Sequence, residues 1–210
     1  TIFLKENGND IIVSYALKEE AKEPTAITID CDKKDSACLG REIVSAYLNH
    51  FNTINIIGRE IPKKTKEINN TIHNLVALEI VEQTSNKIIA KDFLKLEEVS
   101  IPEIVRKVDI TTRSMLEDAK TSIERNNNKM LFEKDKNINK LCLLLFKVMR
   151  NAIKEPRLVK TFKLDFIDLF DYWILVTNLE HIADEAKRAS RALAKIKLSE
   201  QEKDELKKIF

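Results

Sequence analysis

Glycine is scarce, at three residues in 210, and proline numbers only four. A turn-rich all-β fold needs more of both, so the composition favours long helices. The three cysteines, Cys31, Cys38 and Cys142, form no C-x-x-C pair, and an odd number argues against a secreted disulfide framework. The expectation is a soluble protein of a reducing compartment, hence cytoplasmic. The longest strongly apolar run, residues 141–146, is far short of the roughly 18 residues that suggest a membrane span. No secretory leader is visible. The chain opens on Thr1 without Met and inside a strand pattern, as a piece of a longer protein would. Neither charge predominates: 36 Lys and Arg against 34 Asp and Glu leave +2, which excludes a strongly cationic nucleic-acid binder. The chain also has no glycine-rich phosphate loop, no G-x-S-x-G and no Glu three residues before a His. Nucleotidase, hydrolase and di-iron oxidase readings therefore have no support, and a non-enzymatic role is expected.

What is present divides at Ser100. Before it the chain reads as mixed α/β. Residues 1–4 and 11–15 are short β-rich runs with Asn7-Gly8 as a hairpin turn between them. Residues 26–30, 53–57 and 87–91 are further strand candidates. Helical spacing covers 38–50 and then a segment with Pro62 in its first turn, carrying Ile68, Ile72, Leu75, Val76 and Leu78. Strands alternating with helices predict βαβ units.

After Ser100 the pattern is helical. Ser100 with Glu103 spells a capping box opening a helix with Ile104, Val105, Val108, Met115, Leu116, Ala119 and Ile123 on its seam. A polar turn at Asn126-Asn127-Asn128 leads to a second helix over about 129–154, stopped by Glu155-Pro156. After a loop, Asp165 caps a third helix reaching about Ile196, some 45 Å if unbroken. Ser199 with Glu202 starts a short terminal helix. The fold class predicted is α+β, mainly α: a small α/β region followed by an antiparallel three-helix bundle. The divisions are 1–37, 38–95, 100–198 and 199–210.

The organising stretch is 179–193, where Leu179, Ile182, Ala183, Ala186 and Leu193 recur at three- and four-residue steps on one face. Glu180 and Asp184 flank it four residues apart, a spacing at which like charges repel. Either a cation sits between them or the nearby Lys187 and Arg188 quiet them. Asp184 also has the bland partner Arg188 at i, i+4. The sharper reading is a metal site in which two neighbouring helices offer oxygen ligands across a shared groove.

The E-x-x-x-D step within L-E-x-I-A-D-x-A (179–186) resembles the last-helix signature of the PhoU family of phosphate-uptake regulators. M-L-E-D-A (115–119) and E-x-D-x-x-x-N (Glu133, Asp135, Asn139) resemble the motifs of its first two helices. R-E-I-V-S-A-Y-L (41–48), I-P-K-K-T-K (61–66) and L-V-A-L-E-I-V-E (75–82) resemble archaeal-type members, in which an AbrB-like DNA-binding β domain precedes the PhoU region. The resemblance implies that residues 1–37 are the remnant of that β region and a linker. It implies metal ligation by Glu180, Asp184, Asp135 and Asn139, with iron, zinc or manganese as the ion. It also implies a cytoplasmic regulator of phosphate homeostasis whose partners are phosphate transporter or signalling proteins. The alternative is a DNA-binding transcriptional regulator in which this region is the sensing and dimerising half, with DNA contacted only through the missing N-terminal domain. Two departures stand out. Asn139 occupies a position where a carboxylate is expected, and an amide is a weaker ligand for a hard cation. Only one three-helix repeat is present where the family typically has two, which favours a homodimer.

Overall fold

Isoleucine and threonine dominate two short runs, A-I-T-I-D and T-I-N-I-I, and such side chains pack well on a pleated surface. In the computed structural model, which describes residues 2–7, 10–15, 25–125, 127–196 and 199–207, both are strands, β3 (Ala26–Asp30) and β4 (Thr53–Ile57). They pair in parallel with Ile27 opposite Ile54 and Ile29 opposite Ile56. The crossover between them is α1 (Ser36–Leu48), started by Asp35, whose carboxylate accepts the Cys38 amide at 2.6 Å. α2 (Ile61–His73) carries Pro62 in its first turn, where no intrahelical donor is missed. β5 (Leu78–Gln83) and β6 (Lys87–Asp92) complete a sheet of order β3-β4-β6-β5, with β6 antiparallel to both neighbours. Alternate positions Ile29, Ile54, Ile56, Ile88 and Ala90 meet Leu39, Ile43, Ile68 and Ile72 of the two helices in one core. β3 lies in this sheet, so the sheet draws on residues before 38. Ahead of it, β1 (Ile2–Asn7) and β2 (Asp10–Tyr15) form an antiparallel hairpin.

Two local expectations need correction here. Apolar spacing carried the second helix through Leu78. The chain leaves it at His73, turns through Ala77 in left-handed backbone (φ 60°) and enters β5. Leu75 and Leu78 are buried in the same core as Ile68 and Ile72, so spacing alone could not separate a helix end from a strand start. Asn7 is also not a turn residue, because it pairs with Asp10 in the ladder. Gly8, the other half of the expected turn, lies outside the described residues, as do Thr1 and Asn126.

The remaining chain forms α3 (Ile101–Thr121), α4 (Asn128–Lys154), the short α5 (Pro156–Thr161), α6 (Phe166–Leu193) and α7 (Glu200–Lys207). α5 occupies what the sequence suggests is a loop, and α6 stops short of Ile196. α3 and α6 run parallel: the Thr112 hydroxyl donates to the Leu179 carbonyl at 3.4 Å, and Ser122 meets Ser190 at 2.8 Å ten residues later. α4 is antiparallel to both, as Lys134–Asp118 and Phe146–Trp173 show. Asp165 and Asp168 form a reciprocal capping box at α6, and Ser199 with Glu202 does the same at α7. At α3 the Ser100 backbone sits at the N-cap, but its side chain makes no capping bond.

α4 buries two faces. Ile138, Leu145, Val148, Met149 and Ala152 pack with α3 and α6, while Leu143 packs on the core of the α/β region beside α1. That double burial explains the apolar run at 141–146. Among the described residues, no helix is long and apolar enough to cross a membrane.

Candidate functional site

The inward faces of α4 and α6 put their polar residues in register along a groove. Asp135 of α4 is buried, and one turn on, the Asn139 amide donates to its Oδ2 at 3.4 Å. Across the groove, Asp184 and Lys187 of α6 lie one turn apart on the same side. The Lys187 ammonium is 2.7 Å from Asp135 Oδ2 and 2.6 Å from Asp184 Oδ1, with only 14 % of its side chain exposed. Arg188 reaches Asp184 Oδ2 at 3.4 Å and Glu185 at 2.5 Å.

These contacts set the charge state. Burial alone would lower the Lys187 pKa, but hydrogen bonds to Asp135 and Asp184 outweigh it and hold the ammonium above its usual value. The Asp184 carboxyl is held below the usual range, chiefly by its hydrogen bond from Lys187. The groove therefore holds two carboxylates and a resident protonated lysine. Farther along, Ser190 of α6 is fully buried and bonds Ser122 and the Asn128 side-chain oxygen, at 2.8 and 2.9 Å.

Of the expected ligand set, Asp135, Asn139 and Asp184 thus meet in one place. Glu180 stands one turn away, beside His181 at 3.8 Å and close enough to Cys142 to act on its thiol. Burial first, and the Glu180 charge second, push that thiol up to about 12. Glu133 faces outward. Among the described residues, no group of three or more His, Cys, Asp or Glu side chains is arranged to hold a metal ion. Ile182, placed on the seam by spacing, is half exposed, while Leu179, Ala183 and Ala186 are buried as the pattern requires.

A second polar cluster, missed in the sequence, joins the α/β region to α4. Lys147 is fully buried, with its ammonium on the Asp92 carboxylate at the end of β6 and 3.9 Å above the Tyr47 ring of α1. His50 Nδ1 lies 3.0 Å from the same carboxylate, and the Tyr47 hydroxyl donates to the Val76 carbonyl. Burial works against the Asp92 charge, but hydrogen bonds from His50 and Lys147 win and keep its carboxyl below the ordinary range. Burial dominates at Lys147 and lowers its pKa despite Asp92. The available signal was a single lysine inside L-C-L-L-L-F-K-V-M. A charge in an apolar run needs a buried partner.

Several basic side chains near helix ends are engaged within the fold. Lys64 ties down the Cys31 and Lys34 carbonyls and Glu60, while Lys187 and Arg188 are held as above.

The model of the PhoU domain matches residues 105–193. That span runs from the first turns of α3 to the last residue of α6 and contains the whole groove. No curated protein and no solved structure matches the chain.

Proposed function

We propose that this chain, whose residues 105–193 are a PhoU domain, regulates phosphate uptake as a non-catalytic scaffold. The domain itself points to phosphate homeostasis. The finer reading is that the bundle receives a phosphate transporter's cytoplasmic component or a signalling protein and changes that partner's activity by binding. Such a scaffold acts only through a difference in affinity between the partner's states. The observation that carries this reading is the domain match. The groove chemistry is compatible with it, because its charged groups are paired with one another.

The family resemblance implies iron, zinc or manganese at the same residues. The donor set is two carboxylates and a neutral amide, and the ground between the carboxylates is taken by Lys187 Nζ. A divalent ion there would face an ammonium at bonding distance, so these residues do not fit a metal as arranged. We assign no step to one, and take Lys187 as the cation that balances the groove.

The test is phosphate uptake by host cells that lack the chain, measured in phosphate-rich and phosphate-poor medium. Loss of the difference between the two media, restored by re-expression, is the expected result. Uptake that is unchanged in both media removes the regulatory reading.

A further inference from the structure

Where the α/β region meets the bundle, a cleft of about 690 Å³ opens between α1, α4 and the end of α2. Its floor is apolar, made by Val44 and Leu48 of α1, Leu75 just after α2 and Leu143 of α4. Val44, Leu48 and Leu143 are only half buried where they pack on the α/β core. Around that floor stand Arg41, Lys136, Lys140 and Arg150. Among the described residues, none that lines the cleft is acidic and none is aromatic.

The four cations differ from their neighbours in what they touch. Lys134 and Lys147, also on α4, rest on the carboxylates of Asp118 and Asp92. Lys140 instead donates to the His73 carbonyl at 2.9 Å, and Arg150 Nε donates to the Asn49 side-chain oxygen at 3.3 Å. Lys154 brings its ammonium to the same Asn49 oxygen at 3.3 Å. Lys136 lies 5.4 Å from the centre of the Phe132 ring. Among the described residues, none of Arg41, Lys136, Lys140 and Arg150 has a carboxylate partner. The whole chain carries only +2, so this surplus is local. A partner that supplies the opposite charge is both steered to such a surface and held in register on it.

Spacing sets the length of that partner. Lys136 and Lys140 stand one turn apart at one end of the cleft, Arg150 and Lys154 one turn apart at the other. Lys136 and Arg150, fourteen positions apart on α4, are separated by about 21 Å. A lipid-like anion has one headgroup and would satisfy one end only. A single-stranded nucleic acid would find no ring to stack on. A helix of about 14 residues spans the distance. Gly40 points the same way. It lies inside α1 and lines the cleft. A Cβ there would meet Thr71 Oγ1 at 3.5 Å, an ordinary contact, so the fold has room for alanine, the better helix former. The bare backbone lets a bound chain come close to α1.

We propose that this cleft docks an acidic amphipathic helix of a partner protein, its apolar face on the floor and its carboxylates at both ends. One wall is α4, within residues 105–193, while α1 and α2 lie outside them. The site therefore belongs to the two regions together, and neither carries it alone. It rests on the cleft rather than on the regulatory reading above, and failure of either leaves the other standing.

Fluorescence anisotropy of a labelled peptide titrated with the full chain tests it. The probe is a capped peptide of about 14 residues, with leucines on one helical face and glutamates at both ends. Its dissociation constant is expected between about 1 and 100 µM, rising with salt. A peptide of the same composition with its leucines dispersed should bind at least about 10-fold more weakly, and one with lysine for glutamate not at all. Arg41→Glu with Lys136→Glu should weaken binding at least about 10-fold. Gly40→Leu, which fills the cleft without changing its charge, should do the same. Arg106→Glu, at an exposed position of α3, serves as control and leaves binding unchanged. Circular dichroism confirms that each variant is folded, and Ser45→Leu, at an exposed lining position, replaces Gly40→Leu if that one is not. No binding at about 1 mM overturns the proposal, as does equal binding of the dispersed peptide or binding indifferent to the cleft variants. A single-stranded oligothymidine that binds as tightly as the peptide, and weakens in the same variants, overturns it in favour of nucleic acid.

Discussion

Lys187 on α6 spans the groove to Asp135 on α4, Nζ to Oδ2 at 2.7 Å, and holds Asp184 of its own helix at 2.6 Å. One ammonium thus serves two carboxylates, one on each helix.

Removing that ammonium leaves two partly buried carboxylates facing each other. Lys187→Met is expected to destabilise the fold by about 1–3 kcal/mol, measured by urea denaturation. The variant should also gain affinity for manganese or zinc at the freed position. Calorimetric titration of wild type and variant reads this directly. Stoichiometric metal on the wild type, lost in Asp135→Ala with Asp184→Ala, would restore the metal site and remove Lys187 from the role given to it.

The pair Asp92–Lys147 fastens the α/β region to the bundle. Asp92→Ala strands a fully buried lysine, and breaking one side of a buried ion pair costs about 3–5 kcal/mol. Replacing both partners, as Asp92→Leu with Lys147→Met, should recover most of that loss, because two apolar groups leave no uncompensated charge. A double-mutant denaturation cycle gives the comparison, and equal losses in single and double variants would show packing damage rather than charge.

Asp92 and Asp184 both titrate below the ordinary carboxylate value in the fold. The unfolded chain binds their protons first as pH falls, so their contribution is fully present above the unfolded pKa, about 4, and is lost as pH drops through the folded values. Thermal midpoints should be flat near neutrality and fall below about pH 4. Asp92→Asn should flatten that acid limb, and an unchanged limb would place its origin elsewhere.

The two helix starts make a matched pair. Asp165→Ala removes a reciprocal capping box at α6 and should cost about 1 kcal/mol. Ser100→Ala removes a side chain that makes no capping bond at α3, and should fall within about 0.5 kcal/mol of wild type. Thermal melts of both variants decide whether the sequence signature or the observed bond predicts stability.

That contrast marks a limit of reading S-x-x-E from sequence. Ser199 with Glu202 forms the box and Ser100 with Glu103 does not, although the letters are the same. Side-chain rotamers at a helix entry depend on how the preceding chain arrives, here from a one-turn 3-10 helix at Leu96–Glu98.

The sequence by itself determined whatever depends on neighbours a few residues apart. The seam of α6 through Leu179, Ala183 and Ala186, the Asp165 cap, the β3-α1-β4 crossover and the motifs of a PhoU domain all repeat at helix or strand periods. It also brought Lys187 within a turn of Asp184, since i, i+3 spacing alone does that. Only the tertiary structure decided that Lys187 also meets Asp135 and that Lys147 meets Asp92 and His50. Those outcomes follow from the register of one helix against another and from which surfaces find cover. Register is fixed by the packing of whole seams at once, so no local stretch of residues encodes it.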